Sequence, residues 1–249
     1  ILIEALCFLY GKTKDQALLK TAWSVLDFSR AHRNPQTGLY ENNPTQTRWD
    51  KFTATTEIGL WAGCLLRAGD AAGEGRFLPI AKEAVDAYLH HGWDAAEGRL
   101  YGRLDVATGA PVFAPKVTLF QPGTYASATD PIFPAHDYPY AMMETCLDLA
   151  ARTGDARYRA PVAGWIDYAR RAMAQTPVLY AEHLGRMAHL CVAAARVLGL
   201  DTRPAAEEAL DRAFAQLRAG KLLLGHTGAD AYYAVDGVGF LLLACLAFL

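Results

Sequence analysis

The chain has 249 residues, of which 52% are hydrophobic and 20% charged, which suits one globular unit with a sizeable core and excludes a disordered or fibrous chain. Its net charge is -2, and the basic residues are scattered rather than interleaved with aromatics, so neither nucleic acid nor an anionic membrane surface is an expected partner. Five cysteines (Cys7, Cys64, Cys146, Cys191, Cys245) stand singly in apolar stretches without metal-ligand spacing. They read as small core residues, a usage compatible with the cytoplasm or the periplasm, and they predict neither a disulfide framework nor a metal site.

Apolar residues recur at i, i+3 and i+4 along nearly the whole chain, which predicts helices at about 1–10, 14–32, 51–68, 76–92, 138–153, 157–174, 181–198, 204–219 and 235–249. The first reads as a helix already under way, since Ile1 to Leu9 has neither an initiator Met nor the basic segment of a signal peptide. Helix 76–92 carries one apolar stripe (Phe77, Ile80, Ala84, Tyr88) and belongs to an outer layer. Ile58–Leu66 and Leu190–Ala195 are apolar on most faces and belong between neighbours. The two kinds alternate. The outer helices also repeat in sequence: Leu26-Asp27-Phe28, Val85-Asp86-Ala87-Tyr88 and Ile166-Asp167-Tyr168 fall late in theirs. The stretch from Gly237 to Leu249 is shorter than the ~20 residues of a membrane span and reads as a buried helix.

After each buried helix comes a short turn with glycine: Gly11-Lys12, Gly69-Asp70, Gly154-Asp155 and Gly199-Leu200-Asp201. Glycine can close one helix in the left-handed conformation and Asp can cap the next. The connections after outer helices are longer, at 33–50, 93–137 and 220–234, with 175–180 the exception. Hairpins laid side by side therefore place the long loops on one rim, where function is expected.

In the first long loop, Asn34-Pro35 and Gly38 are turn residues and Leu39-Tyr40 begins a short strand. Trp49 and Asp50 precede a buried helix, which Asp50 equally well caps. The second loop opens with Gly98-Arg99-Leu100-Tyr101-Gly102-Arg103, echoing Gly38-Leu39-Tyr40, and Leu100 to Phe113 reads as a hairpin around Thr108-Gly109. It continues through Tyr125 to Pro134-Ala135-His136-Asp137-Tyr138-Pro139-Tyr140, where Asp137 either caps a helix or joins His136 and Tyr138 in a site. In Tyr180-Ala181-Glu182-His183-Leu184-Gly185-Arg186, the i, i+4, i+7 spacing of Glu182, Arg186 and His189 puts three polar groups on one helical face. Such groups are costly unless partnered, so they form an ion pair or line a cavity. His-Glu-x-x-His is absent, which argues against zinc. The last cluster runs from Gly225-His226 through Tyr232-Tyr233 to Asp236-Gly237-Val238-Gly239, the glycines permitting close packing or merely starting a helix. No phosphate-cradling loop, nucleophile elbow or dinucleotide fingerprint is present.

The alternating helices, the Gly-Asp turns, the Gly-Leu-Tyr loop openings and the stretches Tyr180–Arg186 and Tyr233–Gly239 resemble the α/α-toroid superfamily of carbohydrate-active proteins. That superfamily includes six-hairpin glycosidases, N-acylglucosamine 2-epimerase-like enzymes and several polysaccharide lyases. The resemblance implies an all-α fold: one α/α toroid of helical hairpins over residues 1–249, with a small β-hairpin in a long loop. A complete six-hairpin ring has more helices than the nine counted, so an incomplete (α/α)6 barrel lacking N-terminal helices is the expectation.

A sugar bound in a central cleft is also implied. Tyr40, Trp49, Tyr101, Tyr125, Tyr138 and Tyr232 would supply rings, Arg103 or Arg186 would pair with a uronate carboxylate, and His183 and His226 would line the cleft. The leading expectation is a glycoside hydrolase that needs no metal or cofactor. Asp137 and Glu182 would be its carboxylate pair and His136 would orient one of them; about 5 Å between the carboxylates means retention and roughly 6.5–9.5 Å inversion. Three alternatives stay open: a lyase using Tyr138, His136, His183 and Arg186, an epimerase with paired histidines, and a non-catalytic helical-repeat module.

Overall fold

The computed structural model describes residues 1–41, 52–112, 125–129, 139–228 and 237–248, and among them it contains nine α-helices. The described residues cluster into two compact units. The first comprises Ile1–Asp94, Leu100–Ala126 and Ile132–Asp148; the second comprises Ala95–Arg99, Ser127–Pro131 and Leu149–Leu249.

The first unit contains α1 (Leu2–Thr13), α2 (Gln16–Ala31), α3 (Thr55–Ala72), α4 (Phe77–Gly92) and the start of α5 (Tyr140–Thr153). Helix α2 packs on α1 and α4 on α3, while α1 also packs on α3. This is the arrangement of hairpins laid side by side. The expected stripe of α4 is buried, and Phe77, Tyr88, Leu26, Leu39, Leu65, Leu66, Leu100, Leu104 and Tyr140 form the core. The stretch Ile58–Leu66 of α3 is buried on most faces as expected, with Leu60 alone of it exposed.

Two of the four expected glycine turns lie elsewhere. Gly11 and Gly69 sit inside α1 and α3; the left-handed residues that end these helices are Lys14 (φ 60°) and Gly73 (φ 68°). Gly11 is needed for contact instead, since a Cβ there would strike the Ala71 carbonyl of α3. A left-handed lysine is strained by the clash of its Cβ with the following carbonyl oxygen. Lys14→Gly is therefore expected to stabilise the protein by about 1 kcal/mol, read as a raised melting temperature. An unchanged or lowered one would mean that contacts of the lysine, such as its ammonium over the Tyr10 ring, outweigh the strain.

Close approach also governs the crossing of α3 with α5. A Cβ on Gly59 would lie 2.7 Å from the Ala141 carbonyl carbon and 2.8 Å from Met142 Cα. The Thr145 hydroxyl donates to the Gly59 carbonyl at 2.9 Å, and a Cβ on Gly63, one turn on, would meet that hydroxyl at 3.0 Å. Helix α3 starts at Thr55 rather than 51 because Phe52–Ala54 is a strand, antiparallel to Arg103–Asp105 with Thr53 opposite Leu104. The expected hairpin closes at Gly109 (φ 73°), whose N–H donates to the Asp105 carbonyl.

The second unit contains α6 (Arg159–Gln175), entered through a 3-10 turn at Ala156–Tyr158, then α7 (Ala181–Leu198), α8 (Arg203–Gln216) and α9 (Val238–Ala247). Gly154 and Gly199 take the left-handed conformation as expected, and the Asp155 carboxylate accepts from the Arg157 N–H. Helix α7 packs against α8 and α9, over a core that includes Trp165, Ile166, Leu184, Met187 and Leu190. Helix α8 ends short of the expected 219 because Arg218–Ala219 pairs with Leu222–Leu223 around Gly220. Helix α9 was expected to be buried, yet only Leu241 and Ala244 are; Leu242, Leu243 and Leu246 are exposed. All five cysteines are free thiols and four of them are buried.

The α3–α5 contact has a counterpart here. Gly185 is the fifth residue of α7, as Gly59 is of α3, and a Cβ on it would lie 2.5 Å from Leu241 N of α9. Both units thus bring two helices together at a glycine just past the helix start.

Candidate functional site

Among the described residues, the densest collection of expected site residues lies in the second unit, where α7 begins. Its approach is a short extended segment: Leu179 N–H donates to the Thr227 hydroxyl, Thr227 N–H to the Leu179 carbonyl at 2.9 Å, and Ala181 N–H to the Gly225 carbonyl at 2.8 Å. That pairing sets Tyr180 opposite His226. The Tyr180 ring lies 5.3 Å from the His226 ring and 5.2 Å from that of His183. His226 Nδ1 is 2.9 Å from the Thr227 carbonyl oxygen. A carbonyl only accepts, so the hydrogen sits on Nδ1, and in the neutral ring Nε2 carries the lone pair.

Helical periodicity then places Glu182 one turn before Arg186, with Oε1 and Nη1 3.6 Å apart. The Arg186 side chain is 10% exposed and lies over the Phe240 ring at 5.1 Å, while the Glu182 side chain is 26% exposed. The guanidinium is thus held between a ring and a carboxylate that still reaches solvent. His183 is buried and His189 half-buried. The start of α7 thus carries two groups, Glu182 with Arg186 beside Phe240 and Tyr180 with His183 and His226, whose residue types are able to bind a hydroxyl-rich ligand and move a proton on it.

The expected residues of the first unit are arranged differently. Tyr40 is buried against Trp61, with ring centroids 4.9 Å apart, and burial, with Glu83 adding, pushes its phenol above the usual range. Trp61 was not among the rings picked out in the sequence; it lies inside a helix expected to be core. Tyr101 and Tyr125 stack on each other at 4.6 Å, so each presents one face to the other rather than to a ligand. Their hydroxyls converge on Asp94 Oδ2, at 3.3 Å from Tyr101 and 2.9 Å from Tyr125. Hydrogen bonding to Tyr101, then to Asp94, raises the Tyr125 phenol well above its ordinary range. Arg103 is almost wholly buried on the strand opposite Ala54. Trp49, His136, Asp137, Tyr138 and Tyr232 lie outside the described residues, and with Asp137 so does its pairing with Glu182.

The echo of Leu-Tyr extends further than the two loop openings first noticed. In Leu39-Tyr40, Leu100-Tyr101 and Leu179-Tyr180 the leucine is buried and the tyrosine forms an isolated antiparallel bridge, to Arg33, Tyr125 and His226 respectively. Among the described residues no group of His, Cys, Asp and Glu is placed to hold a metal ion, and no helix is long and apolar enough to cross a membrane.

No sequence-family model and no curated protein matches this chain. Solved structures do. A possible member of the GH105 family from Klebsiella pneumoniae superposes with a TM-score of 0.65 at 14% identity, over 99% of this chain and 69% of that one. A D-mannose isomerase gives 0.73 at 11% identity, over 98% and 69%. A GH76 α-mannanase from Bacteroides thetaiotaomicron gives 0.60 at 13% identity, over 98% and 66%. The likeness, with the helix pairing inside each unit, establishes the fold as the all-α, α/α-toroid class.

Proposed function

We propose that the protein is a carbohydrate-active enzyme, and within that class a glycoside hydrolase acting on an oligosaccharide, with a uronate-bearing one as the first candidate. The observation that carries the reading is the start of α7, which sets half-buried Glu182 beside buried Arg186 and, on the same stretch, Tyr180 against the rings of His183 and His226. Support comes from proteins that share the fold, a possible GH105-family member and a GH76 α-mannanase among them. Hydrolysis needs one carboxyl group to protonate the leaving oxygen and a second to activate water or attack. Glu182 takes one of these roles and Asp137, from its place in the sequence, the other, oriented by His136. Arg186 pairs with an acidic group of the sugar, His183 and His226 bind its hydroxyls, and Trp49, Tyr138 and Tyr232 offer rings for stacking.

The experiment is incubation with a panel of neutral and uronate-bearing oligosaccharides, following new reducing ends and ultraviolet absorbance together. The expected result is reducing ends without an absorbing product. An absorbing, unsaturated product would mean β-elimination and sink the hydrolase assignment. A second reading, a sugar isomerase or epimerase, is favoured by one arrangement, the two histidines on either side of Tyr180, and by the likeness to a D-mannose isomerase. It predicts rearranged sugars with no bond cleaved.

A further inference from the structure

Resting on that reading, we infer that Gly237 is a positioning residue for Glu182, one half of a reciprocal glycine lock between the starts of α7 and α9. Gly237 precedes α9 with φ 71°, a backbone conformation that L side chains rarely adopt. A Cβ built on it would lie 2.7 Å from both the backbone N and the Cβ of Glu182, and 3.0 Å from its Cα. The opposing contact comes from α7: a Cβ on Gly185 would lie 2.5 Å from Leu241 N and 2.8 Å from Phe240 Cβ. Each helix start thus presses a bare Cα against the backbone of the other. Between the two contacts sits the functional turn, with Glu182 touching Gly237 and Arg186 lying over Phe240.

The purpose of such closeness is positional. An atom 2.7 Å from the Glu182 main chain would have to push the first turn of α7 away, and the carboxylate would move with it. A displacement of about 1 Å at a reacting group costs on the order of a hundredfold in rate. Gly239, two residues later, supplies the contrast, because a Cβ there meets nothing within 4 Å. The two glycines that look alike in Asp236-Gly237-Val238-Gly239 therefore differ in role: the first fixes Glu182, and the second leaves room for a Cβ.

The test is a double-mutant cycle with kinetics on whichever oligosaccharide the wild type cleaves, plus the carboxyl carbon signal of Glu182 followed by NMR against pH. Gly237→Ala is expected to lower kcat by roughly a hundredfold with little change in KM; Gly239→Ala should change neither. Combined with Glu182→Gln, Gly237→Ala should cause almost no further loss, because the group it positions is already disabled. An equal loss in both backgrounds, or full activity in Gly237→Ala, overturns the proposal. Should Gly237→Ala fail to fold, Gly237→Asn carries the test, since asparagine tolerates the left-handed backbone and leaves only the collision. If the wild type cleaves no oligosaccharide, the hydrolase reading has failed and the lock is judged on the titration alone. The Glu182 signal should then shift in the Gly237 variant and hold in Gly239→Ala; a signal unmoved in both overturns the lock.

Discussion

Gly59→Leu is expected to cost about 3 kcal/mol or more of stability, a fall in melting temperature on the order of 6–12 °C for a chain of this size. The new side chain has nowhere to go. Its first carbon would stand 2.7 Å from the Ala141 carbonyl carbon and 2.8 Å from Met142 Cα, both backbone atoms of α5. A flexible side chain could swing aside, but a helix backbone cannot, so α3 and α5 must separate. Separation would also break the hydrogen bond from the Thr145 hydroxyl to the Gly59 carbonyl, which is buried. The buried Thr145 hydroxyl, left without that acceptor, adds about 1–3 kcal/mol. Gly75→Ala is the control, since a Cβ at 75 meets nothing within 4 Å, and it should change stability by less than about 0.5 kcal/mol. Thermal or urea melts decide the matter; a Gly59→Leu protein that melts with the wild type would refute the close crossing.

Glu182→Gln should leave the fold nearly intact and lower kcat/KM by about 10²–10⁴-fold, the usual contribution of a general acid or base. The amide has the shape of the carboxylate, and its oxygen can still face the Arg186 guanidinium 3.6 Å away, so the packing of the first turn of α7 is kept. It cannot give up or take a proton at neutral pH. The pair is partly solvated and 3.6 Å apart, so its loss should be a small stability effect. Steady-state kinetics beside a melting curve separate the two quantities. A variant with wild-type turnover would remove Glu182 from the chemistry. One that fails to fold would make the pair structural.

The helices were legible because the apolar spacing that defines a helix also defines its buried face; α7 matches its expected span, 181–198, at both ends. Helix ends were less so wherever glycine served two purposes. Gly11 and Gly69 carry the residue type of a helix stop, yet they sit mid-helix, where Gly11 admits the Ala71 carbonyl. Nothing in the one-dimensional pattern separates a glycine chosen for its backbone from one chosen for its missing Cβ. The strand at Phe52–Ala54 was hidden for a similar reason, since its partner, Arg103–Asp105, lies far along the chain.

For the site, i, i+4 spacing foretold that Glu182 and Arg186 share a face, and they stand 3.6 Å apart. The Tyr180–His226 pairing was not foretold, because two loops distant in sequence make it. Tyr101 and Tyr125 were expected to offer rings to a sugar; they stack on one another, with both hydroxyls directed at Asp94, a pairing between distant parts of one long loop that no local pattern announces.

The most direct measurement of the central claim is isotope incorporation during turnover of an oligosaccharide in ¹⁸O-enriched water, with the products reduced at once to stop exchange. Hydrolysis at the Glu182 centre predicts the label at the newly formed end of one product in the wild type, appearing about a hundredfold or more slowly in Glu182→Gln. Products carrying no label, whether unsaturated or merely rearranged, would contradict it.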